Sequence, residues 1–85
     1  MRVCETSKFQ KLRKRLRSSL EREALKEAIS TIIEEPLTGK KLKGELKDLR
    51  RLKYMVEGQE RRLIYKIDPE TITLISFGPR GGIYK

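Results

Sequence analysis

The sequence predicts an α+β fold with a short N-terminal strand and a hairpin of two helices packed on an antiparallel sheet, in the order β-α-α-β-β-β. Two observations favour this fold. Between residues 7 and 35, apolar side chains recur every three or four positions, as along one face of an amphipathic helix. From residue 49 onward they alternate with polar ones, as in half-buried strands. The 85 residues suit a single domain, residues 1–85, with a thin core.

The first helix is predicted from its cap and its apolar stripe. Residues 2–5 are expected to be extended, and either Thr6 or Ser7 can cap the helix that follows. Its apolar stripe comprises Phe9, Leu12, Leu16 and Leu20. The opposite side is cationic, which is typical either of a solvated surface or of a surface that contacts RNA phosphates. These candidate RNA-binding residues are Lys8, Lys11, Arg13, Lys14, Arg15 and Arg17.

The second helix is predicted from a capping box and a proline. Ser18 and Glu21 have capping-box spacing, so the helix is expected to start near Ser19. Pro36 disfavours helical geometry in the residue before it, so the helix is expected to end there. The apolar residues of this helix are Leu25, Ala28, Ile29, Ile32 and Ile33.

The remaining chain is predicted to form a loop and a three-stranded meander. Residues 37–44 contain two glycines and are expected to be a loop. The lysines of this loop, Lys40, Lys41 and Lys43, are further candidate RNA-binding residues. The predicted strands are residues 49–56, 61–67 and 71–77, joined by turns at 57–60 and 68–70. The third strand is almost wholly apolar or threonine, as expected of a strand inside the sheet.

Composition and charge exclude several classes of function. The chain has 21 Lys and Arg residues against 12 Asp and Glu, a formal charge of +9, which indicates a polyanionic partner such as nucleic acid. It has no histidine, which excludes Ser-His-Asp and Cys-His catalysis and histidine metal sites, and no other metal-ligand spacing is present. One cysteine cannot form an internal disulfide. Without a signal-peptide or membrane-spanning pattern, a cytoplasmic location and no membrane partner are expected.

Side-chain alternation predicts where three of the cations lie. If Leu52, Tyr54, Val56, Leu63, Tyr65 and Ile67 face the helices, then Arg51, Lys53 and Arg62 lie on the opposite face. Arg80 follows the last strand, and Gly81 and Gly82 would let the chain bring Tyr84 back toward the sheet. Guanidinium and ammonium groups bind phosphate, and an aromatic ring stacks on an unpaired base. The alternative is ordinary surface charge, with Arg62 paired to Glu57 or Glu60 and Tyr65 in the core.

Three short motifs, in this order, carry a resemblance to a known family. They are Leu42-Lys43-Gly44 after the helical hairpin, Arg62-Leu63-Ile64-Tyr65, and Gly78-x-Arg80-x-x-x-Tyr84. Together they resemble the RelE family of toxins within the RelE/ParE toxin–antitoxin superfamily, over essentially the whole chain. The resemblance implies a small α+β toxin that enters the ribosomal A site and cuts mRNA there. It also implies neutralisation by a RelB-like antitoxin encoded beside it.

The resemblance also implies roles for individual residues. Family toxins carry two basic residues, one apart, on the strand before the Arg-Leu-Ile-Tyr strand, and Arg51 and Lys53 resemble that pair. Arg62, Arg80 and Tyr84 match an arginine that opens the next strand, an arginine after the last strand and a following tyrosine. Two departures stand out. Arg51 occupies the position of a family lysine, and the sequence stops one residue after Tyr84, so no C-terminal helix is expected.

These five residues, Arg51, Lys53, Arg62, Arg80 and Tyr84, suit RNA cleavage without metal or other cofactor. The 2′-hydroxyl attacks the adjacent phosphorus, which requires positioning, a proton acceptor and charge neutralisation. Clustered cations favour the neutral form of a nearby lysine, which suits Lys53 as the base. Arg80 would stabilise the phosphate or assist the leaving group, and Tyr84 would stack on or orient a base.

Other functions remain open at this stage. A ParE-like gyrase inhibitor, or a degenerate toxin that only binds its antitoxin, would fit the strand motif RRLIYKI equally well. A general RNA-binding protein would instead show salt-sensitive binding to free RNA, without a ribosome.

Overall fold

One five-stranded sheet forms the centre of the molecule. The computed structural model describes residues 2–44 and 48–79. Its elements are β1 (Arg2–Glu5), α1 (Ser7–Lys14), α2 (Ser19–Glu34), a 3₁₀ turn (Pro36–Thr38), β2 (Lys40–Lys41), β3 (Leu49–Val56), β4 (Gln59–Ile67) and β5 (Thr71–Pro79). The strand order is β1-β5-β4-β3-β2, with β1 parallel to β5 and the other pairs antiparallel. The α+β fold of a strand, a helical hairpin and a meander is thereby confirmed.

Helix α1 is shorter than its apolar stripe predicted. The Thr6 hydroxyl caps it, accepting a hydrogen bond from the Phe9 amide at 3.1 Å and donating to the Ile75 carbonyl at 3.1 Å. The helix ends at Lys14, and Leu20, which was counted in the apolar stripe of the first helix, does not belong to it. Leu20 instead lies in the first turn of α2, where 55% of its surface is exposed. The chain reverses between the helices, which interrupts the periodic stripe.

Helix α2 begins and ends as the sequence predicts. The Ser18 hydroxyl accepts a hydrogen bond from the Glu21 amide at 3.3 Å. The Glu21 carboxylate does not complete a capping box but bonds Arg61 of β4 at 3.0 Å. The helix therefore starts at Ser19 with one capping hydrogen bond, made by the Ser18 hydroxyl. Glu21, the second residue of the predicted capping box, instead joins the helix to β4. No helix of the described residues is long and apolar enough to cross a membrane.

Both helices bury their apolar sides on the same face of the sheet. The core comprises Phe9 of α1, Leu25, Ala28 and Ile32 of α2, and Leu63, Tyr65, Ile72, Leu74 and Phe77 of β4 and β5. The rings of Phe9 and Phe77 meet edge to face, with their centroids 5.1 Å apart. Strand β5 lies between β1 and β4, which confirms its predicted interior position. Because the helices share one face, the other face is available for a different role.

The turns fix the strand registers. Between β3 and β4 the turn consists of Glu57 and Gly58, with φ values of 50° and 81°. Two consecutive positive φ values are typical of a two-residue type I′ hairpin, whose twist matches the strands. The four-residue turn predicted at 57–60 is therefore too long, and β4 starts at Gln59. The predicted turn between β4 and β5 is confirmed by reciprocal bonds between the backbones of Asp68 and Thr71.

Strand β2 lies inside the segment predicted to be a loop. Only two residues pair with β3, Lys40 with Arg51 and Lys41 with Arg50. Two residues are too few to produce an alternation in the sequence, which explains why the strand was not predicted. The pairing nevertheless adds an edge to the sheet and orients two lysines in opposite directions.

Candidate nucleic-acid interface

Strands β3 and β4 place three predicted site residues together on the face opposite the helices. Lys53 is directly opposite Arg62 across the strand pair, and Arg51 is opposite Ile64. Their neighbours Leu52, Tyr54 and Leu63 pack in or against the helix-covered core. The alternation predicted for this hairpin is thus observed. Side chains of directly opposed residues lie about 4.5–5.5 Å apart at their Cβ atoms, so Lys53 and Arg62 can contact one anion.

Strand β2 adds a fourth cation to this face. Lys40 is the cross-strand partner of Arg51, so both side chains point away from the helices. We call the surface formed by Lys40, Arg51, Lys53 and Arg62 the cationic face. Lys41 pairs with Arg50 and lies on the helix side, while Lys43 is exposed after β2. The three loop lysines predicted as one RNA-binding group therefore do not share one surface.

One acidic side chain borders the cationic face. The Glu60 carboxylate accepts a hydrogen bond from Arg62 Nε at 3.1 Å. This bond is the main cause of a lowered pKa of Glu60, with smaller contributions from the charges of Lys53 and Arg51. Of the two acids considered as partners of Arg62, Glu60 therefore forms an ion pair with it. A carboxylate in this position occupies the arginine donor that a phosphate oxygen would use.

Among the residues that the structure describes, two buried side-chain polar atoms on this side of the sheet have no hydrogen-bond partner. They are Arg51 Nε and the hydroxyl oxygen of Ser76, a side chain with 0% exposure. Ser76 lies opposite Ile64, which in turn lies opposite Arg51. A bulge at Ile75 shifts the register, so that Ser76 points to the cationic face and Phe77 to the core. Ser76 was not identified from the sequence, because a bulge leaves no signal in an apolar strand.

On the helix side, two arginines are bound to the protein itself. Arg50 Nη1 donates to the carbonyl of Gly39 at 2.8 Å and to that of Leu37 at 3.4 Å. Arg61 Nη2 bonds the Glu21 carboxylate at 3.0 Å. Each precedes a member of the cationic face by one position in the chain. Both arginines therefore join elements of the fold.

Tyr65 is a structural residue, as the core interpretation predicted. It is fully buried, its hydroxyl donates to the Pro36 carbonyl at 2.8 Å, and it accepts from the Gly39 amide at 2.8 Å. Burial raises the pKa of this phenol. A Cβ at Gly39 would collide with the Tyr65 ring, so glycine is required for this close approach. The contact fixes the backbone immediately before Lys40.

A cavity of about 260 Å³ lies on the helix side of the sheet, near the C-terminal end of α1 and the N-terminal end of α2. Leu12, Leu16, Tyr54 and Phe77 contribute its apolar lining, and Arg61 and Glu21 lie at its border. Burial raises the pKa of Tyr54 to about 12. A phenol with this pKa stays protonated at neutral pH, so Tyr54 does not act as a base there.

The cations of α1 lie in the helical layer, on the other side of the sheet from the cationic face. Five of the six predicted residues, Lys8, Lys11, Arg13, Lys14 and Arg15, belong to α1 or its C-cap, and Arg17 follows. All six are exposed. Arg13 binds Glu5 of β1 through two bonds, at 2.6 and 3.1 Å. These cations and the cationic face thus form two separate positive surfaces.

Two predicted site residues, Arg80 and Tyr84, lie outside the described residues. The structure describes the chain as far as Pro79 on β5, where Gly78 is the cross-strand partner of Arg62. Arg80 therefore follows in the sequence two positions after the residue opposite Arg62. Among residues 2–44 and 48–79, no group of three or more Cys, Asp or Glu side chains is arranged to hold a metal ion.

Comparisons with known proteins identify the fold and the family. A family model described as "ParE-like toxin of type II bacterial toxin-antitoxin system" matches residues 3–85. Among solved structures, a chain of the intact E. coli RelBE toxin–antitoxin complex superposes with a TM-score of 0.75 at 22% identity. That match covers 95% of this chain and 98% of the other. No curated protein sequence matches significantly.

Proposed function

Because this chain belongs to the ParE-like toxins of type II bacterial toxin–antitoxin systems, we propose that it inhibits translation as an endoribonuclease that cuts mRNA in the ribosomal A site. The observation that carries the proposal is the direct opposition of Lys53 and Arg62, with Arg51 and Lys40 beside them. Such a cluster binds a phosphodiester and neutralises charge that develops on it. The proposed location is the cytoplasm, where ribosomes translate.

In the proposed reaction the RNA supplies its own nucleophile. The 2′-oxygen forms a bond to the adjacent phosphorus, and the bond from phosphorus to the 5′-oxygen breaks. The products are a 2′,3′-cyclic phosphate and a 5′-hydroxyl. Lys53 accepts the proton of the 2′-hydroxyl, while Arg62 stabilises the negative charge on the phosphoryl oxygens and Arg51 adds positive charge beside it. A metal ion is not required, because guanidinium and ammonium groups provide the positive charge.

Two further contributions extend the proposal to Arg80 and Tyr84. The 5′-oxygen needs a proton as it leaves, and Arg80 is the candidate that would stabilise or protonate it. Tyr84 would stack on a base and hold the phosphodiester in line for attack. The exposed cations of α1 would contact ribosomal RNA and not the cleaved bond.

A RelB-like antitoxin is the proposed protein partner. The similar E. coli chain was solved in a complex of toxin and antitoxin. Type II toxin–antitoxin membership makes a protein partner of this kind the natural expectation for the present chain. Co-expression with a short, acidic reading frame adjacent to the gene, followed by co-purification, would test the assignment.

The decisive experiment uses purified ribosomes stalled on mRNA with an empty A site. We expect cleavage within the A-site codon, and no cleavage of the same mRNA without ribosomes. Intact message at saturating protein would contradict the proposal. Substitution of Lys53, followed by circular dichroism to verify folding, would connect any cleavage to the cationic face.

The second candidate is inhibition of DNA gyrase without catalysis, which is favoured by the ParE-like description of the matching family. The fold is compatible with both activities, so only an assay distinguishes them. A supercoiling assay with purified gyrase is the direct test. Inhibition of supercoiling together with intact message would replace the first proposal with this one.

A further inference from the structure

The cationic face contains two cross-strand pairs of like charge. Lys40 is opposite Arg51, and Lys53 is opposite Arg62. Along β3 the two pairs are two residues apart, which corresponds to about 6.6–6.8 Å. Each pair therefore presents two positive groups, and because Lys40 and Arg62 lie on opposite sides of β3, the two pairs are separated both along the strand and across the sheet, a spacing on the scale of one nucleotide unit. The geometry resembles two adjacent anion sites more than one enlarged site.

The position of Lys40 is fixed by the fold. The residue before it, Gly39, is held through its amide by the Tyr65 hydroxyl and through its carbonyl by Arg50, each at 2.8 Å. Lys40 itself then pairs with β3. Its backbone is thus anchored from both sides although the strand has only two residues. A side chain on an anchored backbone loses less conformational freedom when it binds a ligand.

The first pair has no counter-ion among the residues that the structure describes. Like charges placed directly opposite each other destabilise a sheet. The Glu60 carboxylate compensates Arg62 of the second pair. No described carboxylate forms an ion pair with Lys40 or Arg51, and Arg51 Nε is buried without a partner. The charge of Glu60 acts on Arg51 without a direct ion pair, so among the described residues no direct contact relieves the repulsion in this pair.

We infer that Lys40 and Arg51 form a second phosphate subsite beside the Lys53–Arg62 pair, so that the site binds two successive phosphates of one RNA strand. The inference rests on the proposed function for the identity of the ligand as RNA. It assigns the scissile phosphate to Lys53 and Arg62 and the neighbouring phosphate to Lys40 and Arg51. The preferred substrate is then a polynucleotide and not an isolated phosphodiester.

The test compares ligands that differ by one phosphate. The probes are 2′-O-methyl UpU, which cannot be cleaved, and the same dinucleotide with a 5′- or a 3′-terminal phosphate. Titrations followed by NMR on the full chain give each affinity. We expect one of the phosphorylated probes to bind the unmodified protein about tenfold more tightly than UpU, which is about 1.4 kcal/mol. In Lys40→Gln this gain should fall below threefold.

The neighbouring lysine provides a matched control. Lys41→Gln removes the same charge from the same short strand but from the helix side. It should lower the affinities for all probes to a similar extent and leave the gain from the added phosphate near tenfold. Thermal unfolding of both variants checks that β2 is retained. If Lys40→Gln and Lys41→Gln reduce the gain in affinity from the added phosphate equally, the inference is overturned. Both lysines would then act only through their general positive charge or by protecting the edge strand from pairing with another chain.

Two further outcomes would overturn the inference. One is the absence of any gain from either terminal phosphate in the unmodified protein, and the other is full retention of the gain in Lys40→Gln. The proposed function has a separate test, because intact message in the ribosome assay contradicts cleavage and not phosphate binding. A double substitution of Lys40 and Arg51 should also be non-additive in the affinity for the phosphorylated probe, whereas Lys41 with Arg51 should be additive.

Discussion

Consecutive cations on β2, β3 and β4 allow the two faces of the sheet to be compared residue by residue. The pairs are Lys40–Lys41, Arg50–Arg51 and Arg61–Arg62, and one member of each lies on either face. On the helix side, Arg50 bonds backbone carbonyls and Arg61 bonds a carboxylate of α2. On the cationic face, Lys40 and Arg51 have no such partner among the described residues. Arg50 and Arg61 thus stabilise the fold on the helix side, whereas Lys40 and Arg51 remain available for a ligand on the cationic face.

This difference follows from strand parity, not from residue chemistry. A shift of one position would exchange the two sets of side chains, because neighbours along a strand point to opposite faces. The two residues of each pair are both cations and are adjacent in sequence, but they lie on opposite faces of the sheet. One residue of each pair therefore serves as the control for the other. Substitutions made in pairs can separate losses of activity from losses of stability.

The largest expected effect is at Lys53. Under the proposed function, Lys53→Ala and Lys53→Arg should both reduce ribosome-dependent cleavage about 10³-fold, because arginine keeps the charge but does not act as a base. Lys66→Ala is the control, since Lys66 lies on the same face of β4 but opposite Leu49, four positions along the strand from Arg62. It should cleave within threefold of the unmodified protein. Rates are measured by primer extension under single-turnover conditions. Retention of cleavage by Lys53→Arg would show that Lys53 is not the base.

The two adjacent arginines of β4 should separate activity from stability. Arg62→Ala is expected to lower the cleavage rate about 10²-fold, because it removes a donor to the phosphoryl oxygens. Arg61→Ala should leave cleavage within threefold but destabilise the protein by about 1–3 kcal/mol, since Glu21 loses its charged partner. Cleavage rates and urea unfolding of both variants test the comparison. Equal losses of activity would remove the distinction between the faces.

Tyr65→Phe tests the contact that positions β2. The substitution removes the bonds to the Pro36 carbonyl and the Gly39 amide, with an expected cost of about 1–3 kcal/mol. We also expect the terminal phosphate to increase the affinity of the dinucleotide probe less than it does for the unmodified protein, because Lys40 is less well anchored. Tyr54→Phe is the control, as Tyr54 is also on the helix side but makes no contact with Gly39. If the terminal phosphate increases the affinity to the same extent in Tyr65→Phe and Tyr54→Phe, Tyr65 does not position Lys40.

The smallest expected effect concerns Glu60. Its pKa is lowered by Arg62, so its contribution to stability is present above the pKa of the unfolded state and is lost as the pH falls through the lower pKa of the folded state. Glu60→Gln should therefore melt below the unmodified protein at pH 7, with the difference vanishing in acid. RNA binding at pH 7 should become tighter, because the carboxylate no longer competes for Arg62. Thermal melts across pH and oligonucleotide titrations check both signs.

Most of the fold could be predicted because its signals are long. The alternation over β3 and β4 spans many residues, and it correctly placed Arg51, Lys53 and Arg62 on the face without helices. Leu20 was assigned to the stripe of the wrong helix because a reversal between two helices can keep apolar residues in phase. Strand β2 was missed because two residues have no period, and the face of Lys40 depends on that pairing. The roles of Arg80 and Tyr84 remain predictions from the family resemblance.

Other features of the site depend on contacts that the local sequence does not encode. The bulge at Ile75 turns Ser76 toward the cationic face while Phe77 packs in the core against the helices. The ion pair between Arg61 and Glu21 joins positions 40 residues apart. Such pairings depend on the tertiary arrangement. A single sequence therefore predicts the charges of the site but not which of them form ion pairs within the protein.

The parallel pairing of β1 with β5 has a consequence for the order in which the protein can fold. Arg2–Glu5 pairs with residues 71–74, and the Thr6 hydroxyl reaches the Ile75 carbonyl, 69 positions away. Strand β1 must therefore wait until β5 has been synthesised, whereas β3 and β4 are joined by a two-residue turn and can pair locally. During synthesis the β3–β4 hairpin, which carries Arg51, Lys53 and Arg62, can form before β5 emerges. Strand β1 and the N-terminal end of α1 gain their described contacts with the sheet only when β5 is present.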